Sequence, residues 1–144
     1  ENGEIEINVA GNSSSSSILN MMDSHKQAAP QSQYVDVEKV PLRKLDTLTE
    51  EYRDKYSNIF LKIDTQGYEH FVLEGAEKTL ERVAGIQLEL SLISLYEGQI
   101  LYDDLVDKIK ILGFSMWDIS TVLTEPKSGR LLQVDAVFFR DEKD

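Results

Sequence analysis

The stretch Ile59-Phe60-Leu61-Lys62-Ile63-Asp64-Thr65-Gln66-Gly67-Tyr68-Glu69 decides how this chain folds. Its first five residues are apolar apart from Lys62, the pattern of a short strand buried on both faces of a parallel sheet. The run stops at Asp64, and Asp64, Thr65, Gln66 and Gly67 make a polar turn. Beyond it, Val72, Ala76, Leu80 and Val83 recur at helical spacing, so one helix of about four turns is expected. Gly85 is placed to end that helix. Ile86, Leu88, Leu90 and Leu92 then alternate with Gln87, Glu89 and Ser91 as a second central strand. Strand, helix and strand in this order form a right-handed crossover with the two strands adjacent and parallel.

Toward the C-terminus, Leu101, Leu105, Ile109 and Leu112 give a second amphipathic helix closed by Gly113. A strand over 114–119, a turn over 125–130 holding Pro126 and Gly129, and a strand over 131–139 complete the chain as an antiparallel pair on the sheet edge. Toward the N-terminus, Glu4, Ile5, Glu6, Ile7, Asn8 and Val9 alternate as a half-buried strand. Residues 10–33 are rich in Ser, Asn, Gln, Gly and Ala, with serine at every position from Ser13 to Ser17, and read as a mobile polar loop. Within it Ile18, Leu19, Met21 and Met22 could anchor one helical turn on the core. Residues 34–45 return to a strand pattern, with Pro41 pushing it toward an edge or a bulge. Asp46 and Thr47 offer N-caps for a short helix over 49–56, and Ser57 and Asn58 lead into the central strand. The expected class is α/β, with a mostly parallel sheet carrying a C-terminal antiparallel strand pair.

With 144 residues, 41% of them hydrophobic, the chain suits one compact domain. Fifteen basic against 26 acidic side chains give a net charge of −11, which repels a phosphate backbone, so nucleic acid is not an expected partner. The absence of cysteine removes disulfides, thiolate zinc sites and cysteine nucleophiles. No apolar run approaches the roughly 20 residues that cross a bilayer, so no membrane span and a cytoplasmic location are expected. His25, in the polar stretch, has no second ligand at metal spacing, His70 reads as a surface or semi-buried helical residue, and no metal site is expected.

Ligands of open α/β sheets bind beyond the carboxyl ends of the strands, which directs attention to residues 64–69 and 89–96. A carboxylate ending a buried strand is costly unless it is paired or wetted by a cleft, and Asp64 therefore reads as functional ahead of a simple cap. Glu69, in the first helical turn, also reads as a charge that complements the helix dipole. Glu89, on the polar face of its strand, marks either a cleft wall or a solvated sheet face. Tyr96, with Glu97 and Gly98, forms a loop that could close over a substrate or simply turn at the surface, and Ser16 and Ser17 could grip a substrate hydroxyl.

The block Leu61-Lys62-Ile63-Asp64-Thr65-Gln66-Gly67-Tyr68-Glu69 followed by Val72-Leu73-Glu74-Gly75-Ala76 resembles the most distinctive segment of FkbM-type methyltransferases. The likeness continues upstream in Asn8-Val9-Ala10 with the serine run and in Leu45-Asp46-Thr47-Leu48. Downstream it continues in Leu88-Glu89-Leu90, Leu95-Tyr96-Glu97-Gly98-Gln99, Gly113-Phe114 and Gln133-Val134-Asp135-Ala136-Val137-Phe138. The resemblance implies the C-terminal part of a Rossmann-like class I methyltransferase sheet. It implies transfer of a methyl group from S-adenosylmethionine to oxygen, on a small-molecule or glycan acceptor. Asp64 would be the catalytic carboxylate with Glu89 or Glu69 as helper, Asp64, Gln66 and Gly67 would contact the cofactor, and Tyr96, Ser16 and Ser17 the substrate. The family's glycine-rich cofactor half is expected to lie outside these residues, which would leave the fragment inactive alone. A homodimer through the sheet edge so exposed is a further expectation. The reading from another class is a non-catalytic module that binds a partner or a glycan.

Overall fold

The computed structural model describes residues 2–52, 55–56 and 58–141. The alternating segment near the start forms β1 (Gly3–Ala10), which pairs antiparallel with β2 (Tyr34–Leu42) in a two-stranded sheet of its own. Pro41 sits opposite Glu4 within that pair, where a strand with an open outer edge tolerates a residue without an N–H. Between them, the polar stretch is built rather than open. Ser17 bridges back to Asn8, and α1 (Asp23–Ala28) follows one turn later than the apolar residues Ile18 to Met22 suggest. Met21 bridges to Tyr96, and Met22 donates its N–H to the Leu95 carbonyl at 2.8 Å. Met21, Ala28, Leu95, Tyr96 and Leu132 form a small apolar cluster that pins the stretch over the end of the next sheet.

That second sheet has the order β3 (Ile59–Ile63), β4 (Val83–Ser91), β6 (Leu131–Arg140), β5 (Phe114–Thr124). β3 and β4 pair parallel as expected, with Leu61 opposite Ile86 and Ile63 opposite Leu88. The expectation of a mostly parallel sheet is corrected, because β6 inserts between β4 and β5 and pairs antiparallel with both. The C-terminal pair does occupy one edge of the sheet, as expected, with β6 inside against β4 and β5 outermost. The physical reason is composition: β6 buries Leu132, Val134, Ala136 and Phe138, whereas β5 exposes Ser115, Asp118, Ser120 and Thr121 and suits an edge.

Three helices cover one face of this sheet. The single long helix expected after Gly67 is two, α3 (Glu69–Glu74) and α4 (Glu77–Leu80). The break has a cause outside the segment. Asp46, in α2 (Leu45–Thr49), reaches across and accepts the N–H groups of Lys78 at 3.1 Å and Thr79 at 2.8 Å, capping α4, and its own N–H binds the Gly75 carbonyl at 2.9 Å. Burial would raise the Asp46 pKa, but these hydrogen bonds outweigh it and hold the carboxyl below its usual value. The chain past α2 makes a 3-10 turn over Glu50–Tyr52, and the part of the predicted helix at 53–54, like Ser57, lies outside the described residues.

α5 (Tyr102–Ile111) carries acids in its first turn and lysines in its last, and Gly113 at φ 82° ends it. Leu73, Ala76 and Leu80 from α3 and α4 and Leu105, Val106 and Ile109 from α5 pack on Ile63, Ile86, Leu88, Leu90, Ala136 and Phe138 in one core. Each fully buried aliphatic here contributes about 1.5–3 kcal/mol relative to exposure. On the opposite face the rings of Phe60 and Phe139 lean over Gly85, where a Cβ would stand 2.8 Å from both. Among the described residues no helix is long and apolar enough to cross a membrane.

Candidate functional site

The turn after β3 is held in a conformation that few residues adopt. Gln66 and Gly67 have φ values of 54° and 96°, in the left-handed region. Glu69 holds the turn from behind. Its Oε1 accepts from the Thr65 N–H at 2.9 Å, the Thr65 hydroxyl at 3.2 Å and the Gly67 N–H at 3.2 Å. The side chain is buried, and burial raises its pKa against the pull of those hydrogen bonds. Its place in the first helical turn was legible; its use as a clamp on the turn was not.

Gln66 is the centre of a network that ties the candidate residues together. Its Nε2 donates to Asp64 Oδ1 and to Glu89 Oε2, both at 2.9 Å, and its Oε1 accepts the Tyr96 hydroxyl at 2.7 Å. Burial raises the Tyr96 pKa, so its hydroxyl remains a donor and fixes which way the Gln66 amide points. The backbone carbonyl of Gln66 accepts the Ser17 hydroxyl at 2.7 Å, so the serine run is bonded directly to the turn. Glu89 also accepts from Gln133 Nε2 at 2.9 Å and is only 7% exposed. Burial first, then the charges of Asp64, Glu69 and Asp135, push its pKa up to about 8, so at neutral pH it is mostly protonated.

A cleft of about 630 Å³ opens beyond the carboxyl end of β3, between β1–β2, α2 and α3. Asp64, Thr65, Ser16 and Ser17 line one part of it, and Ile18, Leu42, Leu48, Tyr68 and Phe71 provide apolar wall. Of the three candidate acids, Asp64 alone lines the cleft. Its side chain is 38% exposed, and Oδ2 lies 3.4 Å from Lys62 Nζ. Glu69, Glu89, Gln66, Gly67 and Tyr96 stand behind the wall with their polar groups engaged within the protein. Tyr96 is fully buried, so the segment after β4 is an internal brace for the turn. Ser16 holds the loop itself, accepting the Ala10 N–H at 3.0 Å and donating to the Ser13 carbonyl at 2.7 Å.

His25 packs edge-on against Tyr96 with ring centroids 5.1 Å apart, and His70 lies 3.7 Å from the Phe71 ring. Burial lowers both pKa values, and Nδ1 of each is buried without a hydrogen-bond partner. Among the described residues no group of His, Cys, Asp and Glu is placed to hold a metal ion. The sequence reading passed over Arg43 and Lys44, which also line the cleft. They are the only adjacent pair of Arg or Lys residues in this acidic chain, a signal that was available.

Comparison with protein families gives a match to the FkbM methyltransferase domain over residues 1–116. No curated protein and no solved structure matches the chain. The matched segment includes β3, the Asp64–Glu69 turn, Glu89 and Tyr96, the parts that build the network and the cleft. The chain therefore belongs to the FkbM methyltransferase domain family, and methyl transfer is the activity that this membership supports.

Proposed function

We propose that this domain takes part in methyl transfer from S-adenosylmethionine to a hydroxyl of a small-molecule or glycan acceptor seated in the cleft, with Asp64 as the catalytic carboxylate. The observation that carries this reading is the division of labour among the three acids. Glu69 is spent on the turn, and Glu89 is buried and largely neutral, whereas Asp64 keeps a solvated edge at the cleft. Gln66 fixes Oδ1 of Asp64, leaving Oδ2, shared with Lys62, toward the acceptor. A bound hydroxyl donates to that oxygen, which aligns it and would take its proton as the new O–C bond forms and the methyl's bond to the donor sulfur breaks, the electron pair leaving on sulfur as a neutral thioether.

When bound, S-adenosylmethionine supplies an electrophilic methyl on a sulfonium. Of the residues expected to contact it, the Gln66 amide and the Gly67 N–H are already engaged, and Asp64 is the one with a free edge. The four-stranded sheet is, on the same reading, part of a Rossmann-like class I sheet. A non-catalytic binding module is not favoured, since the family is one of methyltransferase domains.

The test, made in a protein that also carries the family's cofactor half, is Asp64→Asn, which preserves size and the acceptor for Gln66. S-adenosylhomocysteine release would be followed over a panel of hydroxylated acceptors, alongside the melting temperature. Turnover is expected to fall about 10²-fold or more with the melting temperature nearly unchanged. Wild-type turnover in the variant would remove Asp64 from the chemistry.

A further inference from the structure

The cleft has two polar ends, and they differ in sign. Asp64 and Thr65 lie at the start of α3, where Thr65 is bonded to Glu69. Arg43 and Lys44 lie at its far end, where Gly75 closes the helix: a Cβ on Gly75 would stand 3.6 Å from the Lys44 Cα. The six residues of α3 separate these ends by about 9 Å at the helical rise. Between them the wall is apolar and aromatic. Tyr68 and Phe71 pack with centroids 4.4 Å apart, and Phe71 and Leu48 remain 42% and 54% exposed.

Among the described residues the basic end has no counter-ion. Arg43 Nη1 donates to the backbone carbonyls of Gly3 and Leu42, at 3.0 and 2.8 Å, and neither Arg43 nor Lys44 forms an ion pair with a described residue. The acid at that end, Glu74, is paired with Lys108 at 3.2 Å. In a chain of net charge −11, two adjacent cations without a described counter-ion, beside exposed apolar surface, favour an anion that brings its own apolar body.

We infer that the cleft takes an amphipathic acceptor whose anionic group is held by Arg43 and Lys44, whose flat or apolar body lies on Tyr68 and Phe71, and whose hydroxyl meets Asp64. This inference rests on the reading of the cleft as the acceptor site. It assigns to Arg43 and Lys44 the choice of acceptor, and to Asp64 the chemistry. A carboxylate, a sulfate or a phosphate would satisfy the same pair, since each offers oxygen acceptors to a guanidinium and an ammonium.

The experiment is a fluorescence titration of the protein, without methyl donor, with three probes. 6-Hydroxy-2-naphthoate and 6-hydroxynaphthalene-2-sulfonate carry a hydroxyl and an anion at opposite ends of a flat body, and 2-naphthol lacks the anion. The anionic probes are expected to bind about tenfold more tightly than 2-naphthol, with a preference that shrinks as salt rises. The order of carboxylate against sulfonate tells which anion the pair favours. Lys44→Gln should remove most of the preference and Arg43→Gln/Lys44→Gln the rest, while Phe71→Ala should weaken all three probes together. Should the double variant lose its native circular dichroism, Lys44→Gln alone decides. Equal binding of the naphthoate and 2-naphthol, or a preference that survives Lys44→Gln, overturns the inference. Because no donor is present, the outcome is independent of Asp64→Asn: wild-type turnover there removes Asp64 from the chemistry and leaves anion selectivity to stand or fall by these titrations.

Discussion

Replacing Glu89 by Gln should make the protein more stable, and increasingly so as the pH rises. Glu89 has its pKa pushed from 4.5 to about 8 by burial and by the neighbouring acids. Between those values the folded state holds a proton that the unfolded state has released, so stability is full below the unfolded pKa and is lost as the pH rises toward the folded one. Integrating the linkage with these two pKa values, Glu89 costs roughly 1 kcal/mol at pH 5, about 3 kcal/mol at pH 7 and nearly 5 kcal/mol at pH 9. The amide introduced by Glu89→Gln stays neutral throughout, and its oxygen can still accept from Gln66 and Gln133 as Glu89 Oε2 does. The advantage of Glu89→Gln over the wild type should therefore grow by about 2–3 kcal/mol between pH 5 and pH 7. Urea unfolding followed by circular dichroism at pH 5, 6, 7 and 8 measures it directly. Parallel stability profiles for the two proteins would refute the raised pKa and, with it, the assignment of Glu89 as a neutral brace.

Gly67→Ala should destabilise by roughly 2–4 kcal/mol, since φ is 96° and the new Cβ would stand 3.0 Å from the Tyr96 Cβ in a packed interior. Gly85→Ala, read in the same thermal melts, should cost only about 1–2 kcal/mol, because the Phe60 and Phe139 rings it meets are partly exposed and can swing away. Asp46→Ala should cost about 1–2 kcal/mol by uncapping α4, and its disadvantage should shrink as the pH falls through and below 3.8, where the wild-type carboxylate is protonated and its lowered pKa no longer contributes. Tyr96→Phe should cost about 1–3 kcal/mol in urea unfolding, because Gln66 Oε1 is left buried without a donor.

The crossover of β3, helix and β4 was legible because it rests on period, and Ile86, Leu88 and Leu90 are buried where the alternation says they should be. β3, read as buried on both faces, is instead an edge strand that turns Ile59, Leu61 and Ile63 to the core and leaves Phe60 and Lys62 exposed. Asp64 was legible for the same local reason, as an acid at a strand tip. The helix break at Gly75 was not, because the group that restarts the helix is Asp46, about thirty residues earlier and acting through space. Nor was the packing of residues 10–33. A serine run reads as solvated chain until Gln66 offers Ser17 a carbonyl and Tyr96 offers Met21 a strand edge.

What the sequence determined by itself was each strand and helix whose signal lies within a few residues, the polar turn at Asp64 to Gly67, and the family likeness carried by that turn. Only the tertiary structure decided that β6 lies between β4 and β5, that Glu69, Glu89 and Tyr96 face inward as braces while Asp64 faces the cleft, and that Arg43 and Lys44 complete it. The reason is that side-chain type and period specify which face a residue prefers, whereas its partner across the fold depends on which other segments compete for the same edge, carbonyl or carboxylate, and that competition is settled only when all of them are packed together.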